Sequence, residues 1–512
     1  MSLTTMTEKG VPAARAESTN GLEEGTAHNT NTNQLKQSYG LWSFCGQAIV
    51  LPGSWAFAAT ALTIAIFGGG SSVAIWGTIF ISICLWVVVA CLAEFGSAYP
   101  SAAGCTFIAY NVAGPEWGPF SAYMTGAFHC LGGIFSPPAF LIVLSQLLLT
   151  CAAIFHEDYQ PTRWQIFLLY EFWNLVALVF LLYGSRILPL LSTIAFVFLA
   201  GGLFLTLGLL LGFTKETAPA HHVFFDFHNL TGFESPVICA MLGLLGPIYG
   251  FGPPHFLLNM AEDVKNPSKN MPIGLAAQQA GSTVLLLVFY IAAYFTVVDY
   301  NALLESSFPS VVGAVYLQAT QNKAVTLILL IIVLAPAFFA CFSYFLANIR
   351  LLYGFTRAGA LPYRQWFSKV DVERNIPVNM LYATTFINFL LGFIYLGSRA
   401  GFSIILGSSG IFYAGGYLFF FIPVILNKRK YMGNGSFKLP SAVGMAFAVF
   451  SVLYETWTMI VYSLPPVYPV TAETANFTPV FLGFGTILSL AGYHFYGRHG
   501  FDIENSGVPP HK

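Results

Sequence analysis

The chain has 512 residues, of which 56% are hydrophobic and only 8% are charged, and its formal net charge at pH 7 is −1. Ordinary soluble domains carry roughly a quarter charged residues, so most of this chain is excluded from water-exposed surface. The composition predicts a membrane protein surrounded by the lipid bilayer, and no nucleic-acid partner is expected.

The first 38 residues are polar and are rich in Thr, Asn, Glu and Ala. They lack the charged and then apolar layout of a cleavable signal peptide, and they predict a disordered cytoplasmic tail. A transmembrane domain is expected over residues 39–498, and residues 499–512 are expected to form a short cytoplasmic tail. No soluble domain or Gly-rich phosphate loop is apparent, which argues against a primary pump.

Apolar segments of about 20 residues or more follow the N-terminal tail, and each is long enough to cross a hydrocarbon core of roughly 30 Å as a helix. They predict an all-α polytopic membrane protein with twelve transmembrane helices. The predicted spans are residues 41–66, 72–95, 119–155, 164–183, 187–212, 237–262, 274–298, 324–355, 378–396, 402–427, 440–463 and 478–497.

Glycine and proline interrupt two of these spans. The first carries Gly46, Pro52 and Gly53, and the sixth carries six such residues between positions 246 and 254. Non-helical backbone at membrane depth is tolerated only inside protein or beside a wet cavity, because lipid offers no hydrogen bonds. The two breaks lie about 200 residues apart, and each begins a run of five spans. This layout predicts a five-plus-five inverted repeat whose broken helices 1 and 6 form a site near the midplane.

Lysine and arginine indicate the orientation, because cytoplasmic loops hold them in excess. With the N-terminus inside, 17 of these residues fall inside and 4 outside. Both termini are therefore expected to be cytoplasmic. The glycosylation sequons at Asn229 and Asn476 fall in predicted outer loops, whereas the sequon at Asn434 falls inside and is expected to stay unmodified.

The breaks supply the candidate substrate-binding residues. Each following half-helix presents free N–H groups that suit a carboxylate, and the carbonyls before it suit an amine or a cation. A zwitterion satisfies both, which favours an amino acid or a related small amine. The candidates are Gly46, Gln47, Pro52, Gly53 and Ser54 in the first break, and Gly250, Phe251, Gly252 and His255 in the second.

Ionisable residues within spans are costly and are therefore functional candidates. His255 and Glu171 are the candidates for proton coupling, although an interhelical hydrogen bond is an equal alternative for Glu171. Glu455 lies outside the predicted repeat and is interpreted as structural. Three acidic residues near the predicted cytoplasmic ends of spans are interpreted as gate or scaffold ion pairs: Glu94, Glu262 and Asp263.

A sodium site in the eighth span would need hydroxyl oxygens, and Ser343 alone provides one near its middle, so protons are favoured as the coupling ion. The eight cysteines lie in apolar segments without C-x-x-C spacing and are interpreted as packing residues. No disulfide, metal or cofactor is predicted.

Several motifs occur in a family-specific order: LAEFGSAYP at residues 92–100, MAEDVKNP at 260–267, GALP at 359–362 and IPVN at 376–379. Together they resemble the fungal-type amino acid/choline permeases, a branch of the amino acid, polyamine and organocation superfamily. The resemblance implies a leucine-transporter-type fold and secondary transport of amino acids, 4-aminobutyrate, choline or related amines. It also implies proton coupling more often than sodium coupling, and location in the plasma membrane.

The chain departs from this family in the second break, where His255 stands at the position of the family's aspartate. An imidazole offers a donor or a positive charge there, which argues against a strongly cationic substrate held by this position. Aromatic rings that would stack over a quaternary amine are nevertheless abundant, although core or interface packing is the more frequent reason for such rings in a membrane span: Phe128, Phe251, Phe339, Phe342, Phe412 and Tyr413.

The predicted function is a proton-coupled symporter that imports an amino acid or a related small amine. A choline or other quaternary-amine permease, a polyamine or 4-aminobutyrate permease, and an uncoupled facilitator remain open alternatives. An enzyme is not expected, because the sequence carries no clustered metal-ligand motif and no nucleophile set.

Overall fold

The computed structural model describes residues 39–501, except for residues 102, 157–158, 185–187, 372–373, 375, 398–400 and 472–473. The tail predicted over residues 1–38 and most of the tail predicted over residues 499–512 therefore lie outside the described residues. The described chain is mostly helical, as the composition predicts.

The first half of the described chain consists of three short helices, four long helices and four further short helices. They are α1 (Leu41–Val50), α2 (Ser54–Thr60), α3 (Leu62–Phe67), α4 (Gly70–Ala98), α5 (Gly104–Ala153), α6 (Arg163–Gly184), α7 (Leu188–Phe213), α8 (Ala220–Phe224), α9 (Pro236–Gly243), α10 (Leu245–Phe251) and α11 (His255–Leu258). A 3₁₀ turn, Ala261–Asp263, follows α11.

The second half continues with longer helices and few interruptions. They are α12 (Pro267–Phe295), α13 (Tyr300–Glu305), α14 (Val311–Thr320), α15 (Lys323–Arg357), α16 (Arg364–Phe367), α17 (Val378–Gly397), α18 (Gly401–Leu426), α19 (Ser441–Ser463), α20 (Thr478–Gly492) and α21 (Arg498–Gly500). A π-helical segment, Tyr493–Gly497, joins α20 to α21.

Ten helical segments in the described part of the chain are long and apolar enough to cross a membrane. The two predicted spans outside this set are residues 41–66 and 478–497. The first is divided among α1, α2 and α3, and α20 has only 15 residues before the π-helical segment begins. The chain is therefore a multi-pass membrane protein, while the count of twelve and the five-plus-five repeat stay predictions.

The third predicted span begins earlier than the sequence indicated. Helix α5 starts at Gly104 and bends at Gly114, where φ is 77° and ψ is 179°. A Cβ atom on Gly114 would lie 2.3 Å from the ring of Tyr431, so the bend and the close approach both require glycine. The bend separates the first turns of α5 from its long apolar part.

Both predicted breaks are present as interruptions of helical backbone. Helix α1 ends at Val50 and α2 begins at Ser54, and Gly53 between them has a left-handed φ of 66°. Helix α10 ends at Phe251, and Gly252 then adopts φ 62° and ψ 166° before α11 begins at His255. Positive φ is accessible to glycine at little cost, which explains why the chain turns at these positions.

Two short strands lie beside the first broken segment. Strand β1 (Gly68–Gly69) follows α3 and pairs antiparallel with strand β2 (His228–Asn229), with Gly69 opposite His228. Through this pairing, the connection between α7 and α9 lies against the start of α4.

Candidate functional site

The two breaks meet each other inside the helical assembly. A Cβ atom placed on Gly252 would lie 3.0 Å from the Cβ atom of Pro52 and 2.8 Å from the hydroxyl oxygen of Tyr344 on α15. At Gly53, the corresponding atom would lie 3.0 Å from the Cβ atom of Ala340. Only glycine fits this junction, because any side chain would displace backbone or ring atoms.

A cavity of about 90 Å³ adjoins the junction, and Gly252, Pro253 and Pro254 line one side of it. The other sides come from α2, α4, α5, α10, α15, α18 and α19. Eight aromatic side chains line the cavity: Phe57, Phe140, Tyr249, Tyr344, Tyr413, Tyr417, Tyr454 and Tyr462.

Glu455 of α19 is the only charged residue among the described residues that line the cavity. The residue is 4% exposed. Within the described chain, no lysine or arginine forms an ion pair with it. Aromatic rings attract cations through their faces, and a carboxylate adds a formal negative charge. The cavity is therefore suited chemically to the ammonium group of a small amine.

A second and larger cavity, of about 600 Å³, lies next to the first. It is lined by polar and apolar residues that include Thr60, Gln146 and Asn476. The two cavities share four lining residues: Phe57, Tyr249, Leu406 and Tyr462. The ring centroids of Phe57 and Tyr249 are 6.4 Å apart, and those of Tyr249 and Tyr462 are 5.6 Å apart. This aromatic layer lies between the two spaces.

His255 lies directly after the second break and is completely buried. Its Nδ1 atom is 2.9 Å from the hydroxyl oxygen of Tyr417, and its backbone N–H donates to the same oxygen at 3.3 Å. The ring stacks on His129, with 4.0 Å between centroids and 12° between planes. Because Tyr417 lines the cavity, His255 reaches that space through one hydrogen bond.

The side chains predicted around the first break contact other helices. Ser192 donates from Oγ to Oε1 of Gln47 at 2.6 Å, and Ser54 donates from Oγ to Oγ of Ser282 at 3.0 Å. Gly46 lies within continuous helix, and a Cβ atom there would lie 3.8 Å from Phe196. None of these three predicted residues lines the cavity described above.

The other residues predicted as functional, Gly250, Phe251 and Glu171, also contact neighbouring helices. A Cβ atom on Gly250 would lie 2.5 Å from the side chain of Leu286, and the carbonyl of Phe251 accepts from Gln278 Nε2 at 3.4 Å. Glu171 lies between α6 and α17: Asn174 donates to its Oε2 at 3.3 Å, and its Oε1 lies 2.8 Å from the Cβ position of Gly392.

The three acidic residues interpreted as ion pairs each have an arginine partner. Arg429 donates to both carboxylate oxygens of Glu94, at 2.7 and 2.8 Å. Arg357 donates to Glu262 at 3.0 Å, and Arg350 pairs with Asp263. The Glu94 and Asp263 pairs are almost fully buried. These contacts join α4 and the 3₁₀ turn to the ends of α15 and α18.

The two sequons predicted to lie outside differ in the availability of their amide nitrogen. Asn229 is exposed, and its Nδ2 atom donates to the carbonyl of Phe233 at 2.6 Å. Asn476 is half-buried, and its Nδ2 atom donates to the carbonyls of Tyr462 and Leu464 at 2.7 and 2.8 Å. Asn229 is the more accessible of the two.

Comparison with known proteins identifies the family. Residues 39–487 match the family model described as amino acid permease. The chain belongs to this family. A choline transporter of Saccharomyces cerevisiae is 28% identical over 476 residues, covering 91% of this permease and 83% of the relative.

Two further relatives carry different names. The amino-acid permease BAT1 of Arabidopsis thaliana is 26% identical, covering 86% of this permease and 88% of the relative. The polyamine transporter TPO5 of Saccharomyces cerevisiae is 20% identical, covering 87% and 73%. The expected resemblance to the amino acid, polyamine and organocation superfamily is confirmed, and the permease is a transporter, not an enzyme.

Several lining residues were not predicted as site residues, although their spacing carries a signal. Tyr454, Thr458 and Tyr462 recur every four residues on α19, with Glu455 beside them, so they share one helix face. A helix that places hydroxyls and a carboxylate on one face within the membrane indicates a polar neighbour. This face points to the cavity.

Proposed function

We propose that this permease is a proton-coupled secondary transporter that imports a small amine or amino acid through the cavity beside the two breaks. The observation that carries the proposal is the contact between Gly252 and Pro52, which joins the two interrupted helices at one wall of an aromatic cavity. Twelve spans, a five-plus-five repeat, cytoplasmic termini and a plasma-membrane location belong to the same proposal. The predicted binding residues Pro52, Gly53, Gly252 and His255 remain part of it.

Uptake of labelled compounds in transport-deficient cells tests the substrate class. The panel contains neutral amino acids, 4-aminobutyrate, polyamines and choline, supplied with and without an inward proton gradient. Accumulation above equilibrium that depends on the gradient is expected for at least one compound. Equilibration without any effect of the gradient would instead identify an uncoupled facilitator.

The role of the break is tested by Gly252→Leu, with Gly208→Leu as the matched control. A side chain at position 252 collides with Pro52 and Tyr344, whereas a Cβ atom on Gly208 in α7 meets nothing within 4 Å. We expect uptake to fall by at least about 100-fold in Gly252→Leu, which corresponds to roughly 2.7 kcal/mol. Normal uptake by Gly252→Leu at equal membrane abundance would contradict the proposed site.

Proton coupling is assigned to His255 because its imidazole can accept and release a proton and contacts the hydroxyl oxygen of Tyr417 at the cavity wall. The pH profile of uptake is expected to flatten in His255→Ala. Glu171→Gln provides the comparison, since Glu171 was the other candidate and lies between α6 and α17. If the pH profile of uptake flattens only in Glu171→Gln, Glu171 and not His255 is the residue that couples transport to protons.

A quaternary amine such as choline is the second candidate substrate. The specific observation in its favour is the combination of Glu455 with eight aromatic side chains around one cavity. The choline transporter among the relatives supports the same candidate. In this proposal the carboxylate of Glu455 provides the negative charge for the amine, because His255 stands where the family has an aspartate.

A further inference from the structure

A second group of polar side chains lies away from the cavity, in the connection between α7 and α9. We call it the loop cluster and define it as His221, His222, Asp226 and His228. Potential ligand atoms of His222, Asp226 and His228 all lie within 4.8 Å of one another. Asp226 is also 2.7 Å from Nδ1 of His222 and 3.1 Å from Nδ1 of His221.

Two nitrogen atoms of this cluster are buried without a hydrogen-bond partner among the described residues. They are Nε2 of His222 and Nε2 of His228. Buried polar atoms normally have a partner, so two imidazole nitrogens without a partner in the described chain are available to a ligand. An electron-pair acceptor such as a metal ion satisfies neutral imidazole nitrogens, which a hydrophobic neighbour cannot do.

Backbone contacts hold the loop cluster in place independently of any ion. His228 belongs to β2, which pairs with β1 at Gly69. Ser71 donates to the carbonyl of His222 at 3.2 Å, and Nε1 of Trp76 donates to the carbonyl of Phe224 at 2.9 Å. The backbone that carries the ligand side chains is therefore hydrogen-bonded to the start of α4. This reduces the conformational entropy that the segment would lose on binding an ion.

We propose that the loop cluster binds a divalent transition-metal ion of the zinc class. His222, Asp226 and His228 are the protein ligands, and the exposed His221 or a water molecule completes a four-coordinate site. Imidazole and carboxylate are ligands that Zn²⁺ accepts readily, whereas Mg²⁺ and Ca²⁺ require oxygen-rich sites. A bound ion would hold the two ends of this short stretch, His222 and His228, to one another on the predicted outer face.

Zinc binding to the full-length protein tests this proposal. The permease is purified without a polyhistidine tag, stripped with a chelator and dialysed against micromolar Zn²⁺. One zinc per chain is expected for the unmodified protein, and binding at least tenfold weaker is expected for His222→Ala combined with His228→Ala. His156→Ala, at an exposed histidine outside the cluster, is the matched control and should bind as the unmodified protein does.

Asp226→Asn provides a second variant that preserves side-chain size and therefore guards against misfolding. Co²⁺ serves as a spectroscopic probe, because its visible absorption reports nitrogen and oxygen ligands in tetrahedral geometry. The absorption should appear with the unmodified protein, persist with excess Mg²⁺ and weaken strongly in Asp226→Asn. Zinc binding equal in the unmodified protein and in the double-histidine variant, or a Co²⁺ spectrum equal in Asp226→Asn, would overturn the proposed site.

Discussion

Buried acidic side chains occur in two regions of the permease, and their surroundings differ. Near the predicted cytoplasmic face, Glu94 and Asp263 are almost fully buried and each is paired with an arginine. In the cavity, Glu455 is 4% exposed and has no arginine or lysine partner in the described chain. A buried charge requires compensation, so an unpaired carboxylate beside empty space indicates that a mobile cation or proton compensates it.

The presence or absence of an arginine partner distinguishes the roles of acidic residues that look alike in the sequence. The paired acids join helices distant in sequence, because Arg429 lies 335 residues after Glu94 and Arg350 lies 87 residues after Asp263. Their partners are part of the protein, so we assign them to the scaffold or to a gate. Glu455 instead lines the cavity beside the breaks, and its part in binding is our proposal.

The largest effect is expected from breaking a scaffold pair. Arg429→Ala leaves Glu94 buried and unpaired, which costs about 3–5 kcal/mol of stability. The partly exposed pair of Arg374 with Asp371, at 3.3 Å and with side chains 37% and 30% exposed, is the control. Arg374→Ala should cost about 1 kcal/mol or less. Thermal unfolding of the detergent-solubilised protein measures both losses of stability, and equal losses would contradict the proposed difference between the buried and the partly exposed pair.

Glu455→Gln tests the other side of the comparison. Because Glu455 has no charged partner to lose, we expect stability within about 1 kcal/mol of the unmodified protein. Uptake of a quaternary amine should fall at least tenfold, equivalent to about 1.4 kcal/mol of lost attraction. Glu171→Gln is the control, since that carboxylate lies between α6 and α17 and should have little effect on the affinity for an amine. Unchanged uptake in Glu455→Gln would make Glu455 a structural residue, as the sequence first indicated.

The sequence predicted the breaks better than it predicted the side chains around the cavity. Gly53 and Gly252 adopt positive φ, and this local property of glycine can be recognised without knowing the fold. Gln47 and Ser54, in contrast, contact Ser192 and Ser282, which lie 145 and 228 residues away. No local pattern specifies which helix such a side chain meets.

The same limitation applies to Glu455, which was interpreted as structural because it lies outside the predicted repeat. Helix α19 packs against both α4 and α18 and lines the cavity from that side, and the sequence alone does not specify this packing. The start of the third span was predicted less well, because the backbone bends inside α5. This bend depends on a contact between distant segments, the approach of Tyr431 to Gly114.

The smallest predicted effect concerns a single ring of the aromatic layer. Tyr249 lines both cavities and lies 5.6 Å from Tyr462 and 6.4 Å from Phe57, measured between ring centroids. Tyr249→Leu removes one cation–π partner, worth about 0.5–2 kcal/mol, so the apparent KM for a quaternary amine should rise roughly 2- to 30-fold. Tyr249→Phe keeps the ring and should change KM less than about twofold. If both variants raise KM by the same factor, the hydroxyl group and not the ring face contributes to binding; if neither changes KM, Tyr249 does not contribute. In both cases charge recognition in the cavity depends on Glu455 without help from this ring.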